Sequence, residues 1–393
     1  MDVQSNRVFF ALLRSSIGPV RLGEAERESL TPELQSRLIK TAAKHDIAHL
    51  LISALGDNGL PMQGEAYANQ AIYTAVYRDE QRRFVLEEIC AAFEGAKIPF
   101  IPLKGAVICS YYPEPWMRTS CDIDVLVKSA DADRAKAALL DMGCTRGEDS
   151  TAHDYSFSSS SGVHIELHYT LTQDGVLPQS DSILERVWDT AQPARGSTCR
   201  YEMTGELFVF YHLVHMAKHI LRGGCGVRPF VDLWLLEGKM PFDRALLRQM
   251  LETGGLWEFY TAVIALSRVW MENAPHTDTT RKLEEYVLTG GVYGTAANAA
   301  KTQAAGGVGK LGSFMELMFL SRESLQIIYP KLKEHPRLMP LYQVRRWLRI
   351  FDKTKRRRIR HLTDARNSVS DEESRNTAQL MQSLGLLKTN GRS

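Results

Sequence analysis

Cysteine is scarce in this chain. Six occur in 393 residues, at positions 90, 109, 121, 144, 199 and 225, and no two form a CxxC pair. That argues against a disulfide scaffold or a cysteine zinc site and fits a reducing compartment. No stretch reaches the about 18 apolar residues that cross a bilayer. The N-terminal apolar run at 8–13 is too short for a signal-peptide core. The expectation is a cytoplasmic protein with no membrane partner. Neither charge sign is in excess: 48 Lys and Arg against 46 Asp and Glu give a net charge of +2. A balance of that kind predicts no whole-surface nucleic-acid binding and no DNA partner. HExxH and Gly-x-Ser-x-Gly are both missing, which speaks against a helix-borne metalloprotease site and a serine nucleophile. There is no internal repeat.

What is present is ordinary globular material. Hydrophobic residues make up 44% and charged residues 24%, so disorder over most of the chain and collagen-like structure are excluded. At roughly 150 residues per domain the length suggests two to three domains. Residues 1–95 read as a helical N-terminal region. Thr31-Pro32-Glu33 is a helix start, because Thr accepts a backbone N–H and Pro in the first turn forfeits no bond. A long helical pattern runs over 65–93, with Gly95 as its stop. The ionic residues at 78–83 read as its solvated face. Residues 96–200 form an α/β core. Its elements are a short apolar strand at 98–103, placed at a sheet edge by its two prolines, a strand at 121–127, and a helix at 130–142 capped by Ser129. A hairpin follows, with arms at 155–158 and 163–171. Residues 201–375 are helical again, and the polar segment 376–393 reads as a frayed tail.

The chemistry concentrates between Leu103 and Val127. Asp122 and Asp124 lie two apart on a strand, so both carboxylates share one face, with Ile123 and Val125 on the buried one. Two adjacent carboxylates repel unless a cation lies between them, and a hard divalent ion such as Mg²⁺ is the natural occupant. On this reasoning, removing one of the charges should not destabilise the metal-free protein. Lys104-Gly105 sits at a strand-to-helix junction, where glycine lets the backbone approach an anionic ligand closely. In residues 162–168, alternation places His164, Glu166 and His168 on one face. If that strand lies beside the Asp-x-Asp strand, Glu166 completes a three-carboxylate cluster and serves as metal ligand or proton acceptor.

Leu103-Lys104-Gly105, Tyr112-Pro113, Arg118 and the run Asp122-Ile123-Asp124-Val125-Leu126-Val127 together resemble the bacterial nucleotidyltransferase family of the DNA polymerase beta superfamily. Glu166-Leu167-His168 is similar to that family's third-carboxylate strand. The histidines between 212 and 219, followed by Val231-Asp232-Leu233, are similar to its helical part. The resemblance spans most of residues 40–240. It implies an α+β fold, with a small mixed-sheet polymerase-beta-like core between N- and C-terminal helical regions. It implies Mg²⁺-dependent transfer of a nucleotidyl group from an NTP such as ATP to an acceptor hydroxyl or phosphate, with release of pyrophosphate. Asp122, Asp124 and Glu166 would be catalytic and would hold two Mg²⁺ ions, roughly 3.5–4 Å apart in such sites. Lys104, Gly105 and Arg118 would take the nucleotide. The acceptor, whether small molecule, peptide or RNA, is left open. Two features depart from the superfamily: Gly105 is followed by Ala106 rather than serine, and the gap from Gly105 to Asp122 is long. A binding protein of the same fold without turnover, or an RNA-modifying toxin-like transferase, are the alternatives.

Several residues carry two readings. Lys104 either contacts phosphate or is a solvated strand end. Arg118 either braces its loop through Asp122 or binds triphosphate, which its guanidinium fork suits. Tyr111, Tyr112 and Trp116 either stack on a base or pack. His212, His215 and His219 fall on one face of a helix. Lys218 and the lack of further ligands disfavour zinc there, leaving an acceptor pocket formed with His168, or ordinary buried histidines that Asp232 orients. The basic run 353–360 is a solvated helix face or an anion-binding surface.

Overall fold

The computed structural model describes residues 2–61, 65–147, 153–172, 176–291, 294–305, 335–350 and 369–387, with Leu325 and Leu332. Five helices open the chain: α1 (Val3–Ile17), α2 (Glu24–Ser29), α3 (Pro32–Lys44), α4 (Ala48–Asp57) and α5 (Glu65–Gly95). Thr31 caps α3 by accepting the Leu34 N–H at 3.3 Å, with Pro32 in the first turn. The ionic run on α5 is only partly solvated. Arg78, Glu80 and Arg83 are exposed, but Asp79 and Arg82 are buried and paired with each other. The reason is that α5 is covered on more than one side, by α4, α7 (Ala132–Asp141) and the turn at Pro115–Met117.

A five-stranded mixed sheet follows, in the order β1-β2-β5-β4-β3. Its strands are β1 (Phe100–Pro102), β2 (Asp122–Val127), β3 (Thr145–Arg146), β4 (Asp154–Ser158) and β5 (His164–His168). β1 lies at an edge and pairs antiparallel with β2. Prolines are tolerated at that position because one side of the strand lacks a ladder. β2 and β5 run parallel, while β4 pairs antiparallel with β5 and with β3. Gly162 turns the β4–β5 hairpin with φ +84°. Between β1 and β2 lies the one-turn helix α6 (Gly105–Ile108). Ser129 is not the cap of α7. Its hydroxyl donates to the Tyr169 carbonyl at 3.0 Å, and a 3₁₀ turn leads into the helix instead. One face of the sheet packs Ile123, Val125, Val127, Ile165 and Leu167 against Val85, Ile89 and Phe93 of α5 and Ala135 and Leu139 of α7.

The opposite face meets the rest of the chain. Two short helices, α8 (Pro178–Leu184) and α9 (Val187–Thr190), and a two-stranded ribbon of β6 (Gln192–Pro193) with β7 (Tyr201–Glu202) lead into α10 (Gly205–Leu221). α10 is buried on nearly every side, as expected of a helix apolar all round. α11 (Arg228–Lys239), α12 (Arg244–Thr253) and α15 (Ala296–Ala305) pack on it, α13 (Trp257–Glu272) packs on α11 and α12, and α14 (Asp278–Gly290) packs on α13. The N- and C-terminal helices form one layer. Phe10 stacks on Trp270 with centroids 4.5 Å apart, and the Arg14 guanidinium donates to the Trp270 carbonyl. Beyond α15 lie α16 (Met339–Ile350) and α17 (Asp371–Ser383). α17 corrects the expectation of a frayed tail as far as residue 387. Ser370 and Glu373 form a capping box, and Leu380, Met381 and Leu384 are buried against the helical layer. The basic run 353–360 lies outside the described residues. Among the described residues, no helix is long and apolar enough to cross a membrane.

Candidate active site

The sheet register builds the centre of the site. β2 and β5 pair so that Asp122 lies opposite His164, Asp124 opposite Glu166, and Leu126 opposite His168. Strand alternation then turns Asp122, Asp124, Glu166 and His168 to the face beneath α10, while Ile123 and Val125, at 1% and 0% exposure, go to the α5 side. Ligand atoms of Asp124, Glu166 and His168 all come within 4.8 Å of one another. This cluster differs from the expected one by a residue. His168, assigned from the sequence to an acceptor pocket, is part of it. Asp122 shares the cavity but not the cluster, and its Oδ1 accepts the Ser120 hydroxyl at 2.6 Å.

Lys104 changes the electrostatics. Its Nζ donates to Asp124 Oδ1 at 2.7 Å and stands 3.9 Å from Glu166 Oε2. His168 Nε2 donates to the same Asp124 oxygen at 2.9 Å and lies 3.3 Å from Glu166 Oε2. Burial alone would raise the Asp124 pKa, but Lys104 and His168 outweigh it and hold the carboxyl well below its usual range. Burial would lower that of Lys104, and the surrounding Asp124, Tyr211 and Glu166 raise it well above the ordinary lysine value instead. The ammonium therefore already sits at the carboxylates. The picture of two unpaired carboxylates repelling one another does not hold for Asp124, and removal of its charge leaves the largely buried Lys104 with the more distant Glu166 as its carboxylate. Lys104 reaches this position from a backbone with φ +42°, a left-handed conformation that is strained in a residue with a Cβ.

Arg118 is committed elsewhere. Its Nε and Nη2 donate to the two oxygens of Asp232, each at 2.9 Å, and Tyr112 donates its hydroxyl to Asp232 Oδ1 at 2.8 Å. All three residues are buried. The brace partner is thus Asp232 on α11, not Asp122, and Asp232 orients the arginine rather than a histidine. Tyr112 packs here. Glycine at 105 is required by close approach: a Cβ there would fall 2.9 Å from Arg118 Nη1 and 3.2 Å from Ser120 Oγ. Arg118 Nη1 thereby lies against the Lys104-Gly105 turn.

A cavity of about 390 Å³ unites these groups with α10, and Lys104, Arg118, Asp122, Asp124, Glu166, His168, His215 and His219 are all in its wall. His215 and His219 face each other with their Nε2 atoms 2.9 Å apart, while His212 Nε2 donates to the Pro229 carbonyl at 2.9 Å. The trio does not converge on a common point. Burial lowers the pKa of all three, with nearby Lys104 adding to the effect on His215 and His219, and His219 is pushed down to about 4. They are neutral donors and acceptors at neutral pH. Sequence reasoning missed Ser120 and Tyr211. Tyr211 lies in the cavity wall with its ring 6.5 Å from that of His215. The signal was available, since Tyr211 and His215 are four apart on one helix face.

Two carboxylates and an imidazole, with a further carboxylate two residues along the strand, form a donor set suited to a divalent cation. Among solved structures, that of the antibiotic-resistance factor ANT(2'')-Ia is similar over 44% of this chain and 92% of its own, at 11% identity and a TM-score of 0.34. No curated protein matches the chain. The sequence model of a family described as uncharacterised nucleotidyltransferase matches residues 31–272. That span is more than half of the chain and contains every residue of the cavity named above, and the chain belongs to this nucleotidyltransferase family.

Proposed function

We propose that the protein transfers a nucleotidyl group from an NTP to an acceptor hydroxyl in a Mg²⁺-dependent reaction that releases pyrophosphate. The observation that supports this most is the parallel β2–β5 register, which sets Asp124 beside Glu166 with Asp122 on the same face. In this reading the 96–200 unit holds the nucleotide and the helices from α10 onward close over the reacting end of the acceptor. Asp122, Asp124 and Glu166 would hold the metal, with His168 steadying Asp124. Mg²⁺ bound there supplies charge stabilisation to the attacking and leaving oxygens. Lys104 keeps Asp124 ionised in the free protein and moves its ammonium to phosphate oxygens when the nucleotide enters. Arg118, fixed by Asp232, holds Ser120 and the Gly105 turn in place and directs Nη1 to the triphosphate. Glu166, partly exposed to the cavity, accepts the proton of the attacking hydroxyl. His215 and His219 orient the acceptor by hydrogen bonds.

One observation favours a second reading, nucleotide binding without turnover: Lys104 occupies the Asp124 oxygen that a metal would need. The test is to follow thermal shifts with Mg²⁺ and each NTP, then pyrophosphate release when a cell extract supplies acceptors. Mg²⁺-dependent binding with pyrophosphate release supports transfer. Binding without release supports the second reading. A wild type that binds no nucleotide in Mg²⁺ refutes both.

A further inference from the structure

The catalytic cavity does not end at α10. It shares Asp46 with a second cavity of about 340 Å³ between α3, α4 and α5. That cavity in turn shares Gln70, Thr74 and Arg78 with an open groove of about 1010 Å³ along the outer face of α5. The threshold between the first two is built. Asp46 stands at φ +56°, and its Oδ2 accepts from Thr119 Oγ1 at 2.7 Å and from Arg228 Nη1 at 3.0 Å. The three cavities therefore adjoin in series from the carboxylates to the protein surface, with Asp46 and its two partners as the threshold that an acceptor must cross.

The walls of that series have an unusual composition. Four aromatic residues are exposed among the described residues, and all are on α5: Tyr67 at 55%, Tyr73 at 74% and Tyr77 at 63%, which line these cavities, and Phe84 at 61%, which lies beyond them. Tyr73, Tyr77 and Phe84 recur at helical spacing on one face. Clustered exposed aromatics mark an interaction surface, whereas scattered ones do not. Asn69, Gln70 and Thr74 lie among them, side chains that both donate and accept hydrogen bonds and so match an extended peptide backbone. A tyrosine-rich, amide-bearing surface is the chemistry by which protein paratopes hold polypeptide. The charges decide against a nucleic acid. A single-strand track needs a positive groove, and the described residues lining the two outer cavities include one basic residue, Arg78, beside the acidic Asp46 and Glu80.

We propose that the acceptor is a serine, threonine or tyrosine hydroxyl in an extended polypeptide segment laid along α5, with the hydroxyl passing Asp46 into the catalytic cavity. The proposal rests on the transferase reading above and names its substrate class. From residue 66 to 81, α5 covers about 22 Å at about 1.5 Å per residue. An extended segment of about seven residues spans that length at about 3.3 Å each. The hydroxyl oxygen bonds to the α-phosphorus, the bond from that phosphorus to the pyrophosphate oxygen breaks, and the hydroxyl proton passes to Glu166. The products are a nucleotidylated side chain and pyrophosphate.

The test uses the full-length protein, Mg²⁺ and α-labelled NTPs. The acceptors are ten-residue random peptide pools with a fixed central serine, threonine or tyrosine, the corresponding tripeptides, and bulk tRNA. Label should enter a ten-residue pool at least tenfold faster than the matching tripeptide. Tyr73→Ala with Tyr77→Ala should remove that advantage, leaving the tripeptide rate and the NTP thermal shift unchanged. Label in tRNA with none in peptide overturns the proposal, as does a length advantage that survives in the double variant. So does absence of label from every peptide pool when the NTP shift is intact. Absence of any Mg²⁺-dependent NTP shift instead refutes the transferase reading on which the proposal stands.

Discussion

Asp124→Asn keeps the shape of the side chain and removes its charge, so it isolates the electrostatics at the base of the cavity. Asp124 is 2% exposed, and Lys104, whose side chain is 20% exposed, bonds to it at 2.7 Å. Breaking a buried ion pair by neutralising one member costs about 3–5 kcal/mol, because the other charge is left uncompensated. Two features bring the expected value to the lower end. Lys104 can turn to Glu166, 3.9 Å away, and His168 keeps a carboxylate at 3.3 Å. The expected loss is about 3 kcal/mol in metal-free buffer. Asp122→Asn is the internal control. Asp122 is half-buried and its oxygen can still accept the Ser120 hydroxyl, so its loss should stay within about 0.5 kcal/mol. Urea unfolding of both variants and wild type, with chelator present at pH 7.5, measures the difference. The sign with pH is fixed as well. The folded pKa of Asp124 is depressed, so its contribution is present above the unfolded value near 3.9 and fades as the pH falls through the folded one. If Asp124→Asn is as stable as wild type or more so, carboxylate repulsion dominates and the Lys104 pairing described here is wrong.

Glu166→Gln should leave the urea midpoint near wild type and reduce turnover by about 10²-fold or more, the scale of a lost general base; unchanged turnover removes Glu166 from the chemistry. Asp232→Asn strands the Arg118 guanidinium in a buried setting and should lower stability by about 3–5 kcal/mol. Adding Arg118→Met should recover part of that loss, and a double variant no more stable than Asp232→Asn alone would show the pair to be unimportant. Burial holds His45 down to about 4, so the folded protein refuses a proton that the unfolded chain takes near pH 6.5. Stability should therefore fall as the pH drops from 6.5 to 4, and wild type should lose about 3 kcal/mol more than His45→Gln between pH 7.5 and 4. Parallel urea curves for the two proteins would contradict it.

Strand alternation was legible because it is local: Ile123 and Val125 went to the α5 side and the aspartates to the cavity side, as the two-residue period requires. The edge position of β1 was legible from its prolines. What joins Asp124 to Glu166 was not, since the pairing of β2 with β5 is a property of the sheet and nothing in either segment names its partner. The same holds for Arg118, whose carboxylate lies 114 residues away on α11, and for Asp79 and Arg82, whose burial depends on what packs over α5. Lys104 reads from the sequence as a phosphate contact or a solvated strand end, and neither reading contains its ion pair with Asp124. A sequence places a lysine near a phosphate turn, but only the fold determines how far its side chain stands from Asp124.

The stacking of Phe10 on Trp270 has a consequence for how the molecule is made. Arg14 and Trp270 are 256 residues apart, so α1 leaves the ribosome long before α13, the more distant of the helices it packs on, exists. The sheet and α5 can associate early, through contacts within one stretch of nascent chain. α1 can pack on α4 early, but the helical layer closes only after α13 has been synthesised, and until then Phe10 lacks its stacking partner Trp270. Long-range closures of this kind are slow and leave apolar surface open to aggregation in the interim. A truncation before α13 would make that interim state permanent, whereas one beyond residue 387 spares the closure.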